Sequence, residues 1–263
     1  MKIILSPAKK MITDTDCIAP VELPAFIDKT AAILGWMKSK SKEELKTIWK
    51  CNDKIADQNF HRLETMDLYS RLTPAVLAYE GIAFQYMAPS VFEIRQLEYI
   101  QNHLRILSAF YGVLKPMDGV TPYRLEMQAK AEIEETANLY DYWGDRLYHS
   151  VLDDSRTIVN LASKEYSKCI ERYLSDKDNY ITITFCELSG DKLITKGTYA
   201  KMARGEMVRY MAEKNIENPA DIRKFDRLGY TFRGDLSSET EYVFEKTEKE
   251  NGLALHGGSD INL

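Results

Sequence analysis

The stretch His103 to Met127, HLRILSAFYGVLKPMDGVTPYRLEM, carries the clearest fold signal in the chain. Its first part, residues 104–109, is apolar enough to form a buried strand, although Arg105 interrupts the run. Turn-forming residues follow, because glycine permits positive φ and proline fixes φ near one value. An ordered connector of this length is more often functional than ornamental, so we predict a functional loop after the strand. The turn-forming residues are Gly112, Pro116, Gly119 and Pro122.

Two arginines in this stretch, Arg105 and Arg124, form the first candidate site. One interpretation places both in a shared polar cleft, where they recognise an anion. The other pairs them with carboxylates such as Glu126 or Asp118, so that they only pin the loop. Buried charges mark functional sites probabilistically, and the sequence alone leaves both interpretations open.

The bulk composition predicts a globular protein with a substantial core. The chain has 263 residues, of which 44% are hydrophobic, and fits one large domain or two closely packed ones. A net charge of −5 argues against a surface coated in positive charge but allows a local basic groove. No run of about 18 apolar residues occurs, and the N-terminus lacks signal-peptide features. We therefore expect a cytoplasmic protein without a membrane span, and its oligomeric state stays open.

The cysteines and histidines are dispersed along the chain, without a CxxC motif or a close Cys-His pair. This usage is typical of reduced thiols in a cytosolic protein. It predicts neither a metal site nor a cofactor, and no residue pattern argues for iron binding. The residues are Cys17, Cys51, Cys169, Cys186, His61, His103, His149 and His256.

Strand-like and helix-like patterns alternate irregularly, and no repeat period occurs. We therefore predict a mixed α/β (α+β) fold with some antiparallel pairing, not a regular doubly wound sheet. Residues 1–247 form a single compact domain in this prediction, and 248–263 form a flexible C-terminal tail. The predicted strands are 2–5, a strand-like run within 74–86 that ends at Glu80-Gly81, 104–109, 157–161, 180–188, 192–195, 230–232 and 241–246. The predicted helices are 25–38, 90–103, 138–153, 163–174, 198–215 and a short one from Pro219.

A pair of helices is predicted within about residues 41–63. Ser41 and Glu44 have the spacing of a capping box, in which each side chain satisfies the other residue's free backbone amide. Asn52 is placed to cap the second helix. The pattern therefore predicts two helices joined by a tight turn.

Three further segments combine basic and hydroxyl side chains. The loop with Ser6, Lys9 and Lys10 follows the first strand, which is a favoured position for ligand sites. The strand-to-helix junction 160–164 offers free helix-start amides that suit an anion, although an ordinary N-cap explains it equally. The helix from Thr198 has basic side chains on one face, which form either a binding stripe or an ordinary solvated helix face. The candidate residues in these last two segments are Asn160, Lys164, Lys201 and Arg204.

Six sequence blocks together resemble the YaaA family of bacterial peroxide-stress-resistance proteins. They occur in the family's order and spacing and span residues 1 to about 246. The block 103–127 is the longest and most specific of them. The blocks are LSPAKK (5–10), NDKIA (52–56), the 103–127 stretch, YDYWGD (140–145), NLASKEY (160–166) and YAKMARGEMVRY (199–210).

The resemblance implies a single mixed α/β domain with a positively charged cleft and a helix-hairpin-helix element. It also implies binding of double-stranded DNA and a role in limiting free intracellular iron and oxidative DNA damage. Carried over by motif, the hairpin falls on residues 49–54, with Asn52 and Lys54 as candidate DNA contacts. The cleft falls on Lys9, Arg105, Arg124, Lys164, Lys201 and Arg204.

The hairpin departs from the usual helix-hairpin-helix pattern, whose turn contains glycines that bring backbone amides to DNA phosphates. No glycine occurs between Gly35 and Gly81, and Asn52-Asp53 occupies the turn. Asparagine tolerates left-handed conformations, whereas Asp53 repels phosphate unless it caps the second helix.

Two functions follow as hypotheses. The first is non-enzymatic, sequence-independent binding of double-stranded DNA during peroxide stress. The alternative is an enzyme acting on a nucleotide or nucleic acid in the basic cleft, with Glu126 as the general base. The sequence contains none of the common nucleotide-binding or hydrolase motifs, so it identifies no catalytic residue with certainty.

Overall fold

The centre of the molecule is a mixed sheet of eight strands. The structure is a computed structural model. It describes residues 1–16, 18–190 and 192–247, except for the side chain of Ser189. A separate two-stranded ladder joins β2 and β5. The predicted tail, 248–263, lies outside the described residues. The strands are β1 (Lys2–Leu5), β2 (Thr73–Pro74), β3 (Leu104–Ser108), β4 (Gly112–Leu114), β5 (Gly119–Val120), β6 (Thr157–Asn160), β7 (Asn179–Ser189), β8 (Lys192–Ile194), β9 (Tyr230–Phe232) and β10 (Glu241–Lys246).

Parallel pairing dominates the middle of the sheet and antiparallel pairing its margins. The strand order is β4-β3-β1-β6-β7-β10-β9, with β8 on the end of β7. The strands β3, β1, β6, β7 and β10 run parallel, whereas β4, β8 and β9 are antiparallel to their neighbours. The predicted mixed α/β fold is therefore confirmed.

Helices flank this sheet and pack their apolar faces onto it. Short 3₁₀ helices occur at Pro89–Val91, Pro219–Lys224 and Gly234–Leu236. The α-helices are α1 (Ile27–Lys38), α2 (Lys42–Trp49), α3 (Asp53–Glu64), α4 (Ala75–Ala78), α5 (Ile82–Met87), α6 (Ile94–His103), α7 (Leu139–Trp143), α8 (Arg146–Val151), α9 (Lys164–Glu171) and α10 (Gly197–Lys214).

The predicted caps of α2 and α3 are present. The Ser41 hydroxyl accepts from the Glu44 amide at 3.2 Å, and the Glu44 carboxylate accepts from the Ser41 amide at 2.8 Å. The Asn52 side chain accepts from the amide of Ile55 at 3.0 Å. These reciprocal bonds fix where each helix begins and keep the connection between them short.

Two predicted elements are wrong in detail. The run 74–86 forms α4 and α5 instead of a strand, because a short apolar run does not distinguish a strand from a buried helix and alanine favours strands poorly. The predicted helix 138–153 is two helices, since Gly144 between them adopts a φ of 55°. That left-handed conformation interrupts the helical hydrogen bonds.

Helix α10 packs closely against α5 at Gly205. A Cβ atom added to Gly205 would lie 1.9 Å from the carbonyl oxygen of Ala83, which is far inside van der Waals contact. Ala200, Ala203 and Met207 are also buried on this helix. Glycine at position 205 therefore allows the two helix backbones to touch.

Arg105 lies near the amino ends of the parallel strands, not in a cleft with Arg124. Its guanidinium donates to the backbone carbonyls of Gln101 at 3.0 Å and Leu104 at 2.7 Å. The residue is 8% exposed, and the carboxylate of Asp118 contributes favourably to its charge. The predicted shared cleft for Arg105 is therefore wrong, because these bonds point the side chain back toward the start of β3.

We expect Gly205→Ala to lower the free energy of unfolding by more than about 1–3 kcal/mol, the usual cost of overpacking, because the clash is with backbone. Gly35→Ala is the control. Gly35 lies within α1 with no heavy atom within 4 Å of an added Cβ, so alanine there should stabilise by about 0.5–1 kcal/mol. Urea unfolding of both variants measures the two effects. Equal changes in the free energy of unfolding for the two variants would contradict the close packing of α10 against α5.

Asp118→Asn should stabilise the protein at pH 8 more than at pH 4.5. Burial raises the pKa of Asp118 to about 7, well above the value near 3.9 of an unfolded chain. Between these values the folded state holds a proton that the unfolded state releases, so this carboxyl destabilises the fold as pH rises. Melting temperatures at both pH values test this, with exposed Asp154→Asn as the control. If the melting temperatures of Asp118→Asn and the wild type differ by the same amount at both pH values, the raised pKa of Asp118 is contradicted.

Candidate functional site

A cavity of about 390 Å³ lies at the sheet edge where β1 and β6 end. Parallel strands present their carboxyl ends on one edge, where ligands of open α/β sheets usually bind. The lining comes from five segments far apart in the sequence, within residues 5–10, 80–84, 123–126, 161–166 and 201–204. Its charged side chains are five basic and three acidic: Lys9, Lys10, Arg124, Lys201, Arg204, Glu80, Glu126 and Glu165.

Two serines join the loop after β1 to the start of α9. The Ser6 hydroxyl donates to the Ser163 hydroxyl at 3.1 Å and accepts from the Ser163 amide at 2.8 Å. Ser163 is the N-cap of α9, yet its side chain forms no capping bond to that helix. Its hydroxyl therefore belongs to the cavity wall, which is a different role from the ordinary N-cap that the sequence allowed.

The loop after β1 also contacts the segment between α4 and α5. A Cβ on Gly81 would lie 2.6 Å from the Cβ of Ala8, so only glycine fits without displacement. This contact brings Glu80 within reach of the loop, where it pairs with Lys10 at 2.7 Å. The loop is thus held both by the sheet edge and by this neighbouring segment.

The lysines of the loop are exposed and paired with carboxylates. Lys9 contacts Glu126 at 2.8 Å, and both lysine side chains are more than 60% exposed. Exposed ion pairs of this kind contribute little to stability. A ligand with stronger negative charge can therefore replace the carboxylates as partner of these ammonium groups.

Arg124 lies deeper than the lysines and connects the cavity to the α2–α3 hairpin. Its side chain is 11% exposed and lies 3.8 Å from Glu126. It donates to the carbonyl oxygen of Trp49, the last residue of α2, at 3.5 Å. Its Nε is buried without a hydrogen bond. One guanidinium therefore contacts both the cavity and the beginning of the hairpin turn.

Arg204 is partly exposed, and its Nε is buried without a hydrogen bond. Its side chain forms no hydrogen bond or ion pair with the residues that the structure describes. Burial alone lowers the pKa of its guanidinium, with no charged neighbour offsetting it. Lys201, one helical turn earlier on α10, lines the same cavity and is exposed. The cavity therefore contains one sheltered cation without a partner and one accessible cation close to it.

Glu165 is the carboxyl group most altered by the cavity. Burial raises its pKa, and the nearby charge of Glu126 raises it further, against the bonds from the backbone amides of Gln128 and Met127. Burial and the charge of Glu126 thus both disfavour the ionised form of the Glu165 carboxyl group. Both carboxyl groups line the cavity, where they can hydrogen bond to a ligand.

A chain of hydroxyl groups leads from the cavity into the core. Tyr123 lines the cavity, and its hydroxyl lies 2.9 Å from that of Tyr79 and 2.7 Å from that of Ser108. Burial raises the pKa of Tyr123 to about 12, so the phenol stays protonated at neutral pH. It is a neutral hydrogen-bonding group in the cavity wall.

The structure brings together seven of the residues singled out from the sequence and separates the other five. Asn160 is buried and caps the amide of Ala162 at 2.9 Å. Lys164 points away along α9 to Glu171. Arg105 lies near the beginning of β3, away from the strand ends that form the cavity. Asn52 and Lys54 lie on the α2–α3 hairpin. The seven that line the cavity are Ser6, Lys9, Lys10, Arg124, Glu126, Lys201 and Arg204.

Sequence reasoning missed three polar residues of the cavity, Glu80, Glu165 and Tyr123. Glu165 and Tyr123 lie inside the blocks 160–166 and 103–127, so their proximity to predicted site residues was a usable signal. Glu80 was interpreted as the end of a strand. Only the pairing of Lys10 with Glu80 across the folded chain identifies it.

Among the described residues, no three His, Cys, Asp or Glu side chains form a group that could hold a metal ion. The search of the same residues finds no helix long and apolar enough to cross a membrane. Cys51, Cys169 and Cys186 are free thiols.

The comparisons with known proteins agree on one family. The family described as "Peroxide stress protein YaaA" matches residues 1–236. A protein named "UPF0246 protein" from Agathobacter rectalis is 79% identical over 246 residues, covering 94% of this chain and 99% of the relative. UPF0246 proteins from Lachnoclostridium phytofermentans and Desulfitobacterium hafniense are 54% and 51% identical, with 94% and 95% of this chain covered and 97% and 100% of theirs. The chain therefore belongs to the peroxide stress protein YaaA family.

Proposed function

We propose that this protein acts in peroxide stress by binding double-stranded DNA without sequence specificity, which helps to limit free intracellular iron and oxidative DNA damage. Membership of the family supports the peroxide-stress role. The observation that carries the DNA-binding proposal is the bond from Arg124 to the carbonyl of Trp49. It joins the basic cavity to the α2–α3 hairpin, so that one face offers both to a phosphate backbone.

The hairpin offers free positive charge at its turn. Lys50, the C-cap of α2, adopts a φ of 46°, so it occupies the left-handed position that glycine usually takes. Lys50 and Lys54 are exposed and make no ion pair with the residues that the structure describes. Asp53, by contrast, is paired with Lys46 at 2.5 Å, which reduces its repulsion of phosphate. The lysines of the turn are therefore available to DNA.

The distribution of charge also supports binding of the backbone instead of the bases. The whole chain has a net charge of −5, so attraction to DNA must come from a local surface. Lysine and arginine side chains contact phosphates irrespective of sequence, whereas base readout needs an element inserted into a groove. We therefore propose affinity that is electrostatic in origin and strongly dependent on salt.

The double variant Lys50→Gln/Lys54→Gln should weaken binding to duplex DNA and reduce its dependence on salt. Each lost phosphate contact removes about 0.9 from the slope of log K against log salt concentration, so two lost contacts remove about 1.8. Fluorescence anisotropy with a labelled 20-base-pair duplex, between 50 and 200 mM salt, measures both quantities.

The matched control for this experiment is Lys177→Gln/Lys214→Gln. It makes the same change in net charge at exposed positions away from the hairpin. An equal loss of affinity in both double variants would indicate a general charge effect and reject the hairpin as the DNA contact. Wild-type affinity that is constant across this salt range would reject the proposal as a whole.

The enclosed cavity favours a second candidate, an enzyme acting on a nucleotide or nucleic acid. Glu126 lies between Lys9 at 2.8 Å and Arg124 at 3.8 Å, and its charge contributes to the raised pKa of nearby Glu165. A carboxylate flanked by cations and by a second carboxyl group whose pKa is raised has the composition of a general acid–base pair. Glu126 is the proposed base.

If this second function exists, Glu126→Gln should lower turnover by about 10²–10⁴-fold, the usual contribution of a general base. The assay incubates the protein with a nucleotide panel and with DNA, and follows products by mass spectrometry. Exposed Glu135→Gln is the control for a lost carboxylate. Absence of any product with the wild-type protein, or full turnover by the Glu126 variant, would remove this candidate.

A further inference from the structure

The cavity combines a charged part with an apolar part. Apolar and aromatic side chains from β1 and the loop after it, from α5 and from α9 accompany the ionic residues. Ligand sites for small organic molecules are typically apolar concavities with a few convergent polar groups, and about 300–1,000 Å³ is their usual volume. At about 390 Å³ the cavity has room for one small molecule. The apolar and aromatic lining residues include Leu5, Pro7, Ala8, Ile82, Phe84 and Tyr166.

The guanidinium of Arg204 lacks a hydrogen-bond or ion-pair partner among the described residues. Buried charges in proteins are normally paired and hydrogen bonded, because an unpaired buried charge destabilises the fold. Arg105, which is 8% exposed, follows this rule through two backbone carbonyls. Arg204 has no such partner among the described residues. Its position against an open volume indicates that the missing partner is a ligand with negative charge.

We infer that the cavity binds one small phosphate monoester of nucleoside monophosphate size, with its phosphate held by Arg204. Lys201, on the same face of α10, is the second cation for that phosphate. The flat apolar part of the ligand lies among the apolar and aromatic lining residues. This inference does not rest on duplex binding, and it names the ligand class on which the second candidate function would act.

The charge of the cavity matches a single phosphate group. The basic lining residues outnumber the acidic ones by two, and a phosphate monoester carries about −1.5 to −2 at neutral pH. A triphosphate brings more negative charge close to Glu80, Glu126 and Glu165. The carboxyl groups of Glu126 and Glu165 instead suit the hydroxyl or amino groups of a sugar or a base.

The same chemistry occurs in a free nucleotide and in the terminal or extruded nucleotide of a nucleic acid strand. A paired duplex contacts only the mouth of a cavity this small. The source of the phosphate monoester is therefore a question for the experiment, which uses both forms.

Isothermal titration calorimetry and thermal unfolding of the full chain test this inference. The probes are AMP, adenosine, inorganic phosphate and a 5′-phosphorylated single-stranded hexanucleotide. We expect AMP to raise the melting temperature of the wild type and adenosine to leave it unchanged. A response to AMP identifies a free nucleotide as the source, and a response to the hexanucleotide alone identifies a strand end.

Arg204→Met is the decisive variant, since methionine keeps an apolar body and removes the charge. We expect it to abolish the response to AMP and to keep or raise the melting temperature of the unliganded protein, because a buried Nε without a hydrogen bond is removed. Arg209→Met is the control on the same helix, where Arg209 is already paired with Glu213 at 2.7 Å. It should keep the response to AMP and lower the stability of the protein.

Two results would overturn the inference. One is that neither AMP nor the hexanucleotide binds the wild type at millimolar concentration. The other is that Arg204→Met binds as the wild type does. Should that variant not fold, competition in the wild type replaces it: inorganic phosphate must displace the bound nucleotide, and failure to compete would reject a phosphate subsite. The Lys50→Gln/Lys54→Gln protein should bind AMP normally, so failure of duplex binding and failure of this site are separable.

Discussion

The close contact between α10 and α5 is the constraint on which the rest of the site depends. Because Gly205 has no side chain, α10 can approach the carbonyl of Ala83 closely enough to place Arg204 and Lys201 at the sheet edge. The neighbouring Gly81 does the same for the loop after β1, which packs onto it through Ala8. Two positions without a Cβ therefore bring cations from opposite ends of the chain into one cavity.

The cavity lining has more basic than acidic side chains, although the chain as a whole is acidic. With a net charge of −5, it gains little from general attraction to nucleic acid. Affinity for phosphate must come from few side chains whose own carboxylate partners are exchangeable, as Lys9 and Glu126 are. The hairpin and the cavity then have separate roles in the proposed binding, since exposed lysines attract a backbone and buried arginines select one small anionic group.

Features of the fold that depend on neighbouring residues could be predicted from the sequence, whereas features that depend on contacts between distant residues could not. Local signals gave the capping box at Ser41 and the strands 230–232 and 241–246, because caps and alternation depend on neighbouring residues. The run 74–86 was wrongly predicted because a short apolar run fits a strand or a buried helix, and the packing of α5 against α10 is not visible in the local sequence. Candidate site residues in the first loop and α10 were identifiable as basic clusters, but nothing local shows that they share one cavity.

Arg105 and Arg204 illustrate why an arginine in an apolar stretch is ambiguous in sequence. Both carry a charge into a buried environment, and burial lowers the pKa of both. Arg105 sits at the start of a strand, where the carbonyls of Gln101 in the preceding helix and of Leu104 in the strand accept its bonds. Arg204 sits on a helix whose carbonyls are already used by the helix itself. The cation can complete its bonds within the fold in the first case, whereas in the second we propose the anionic group of a ligand as the partner.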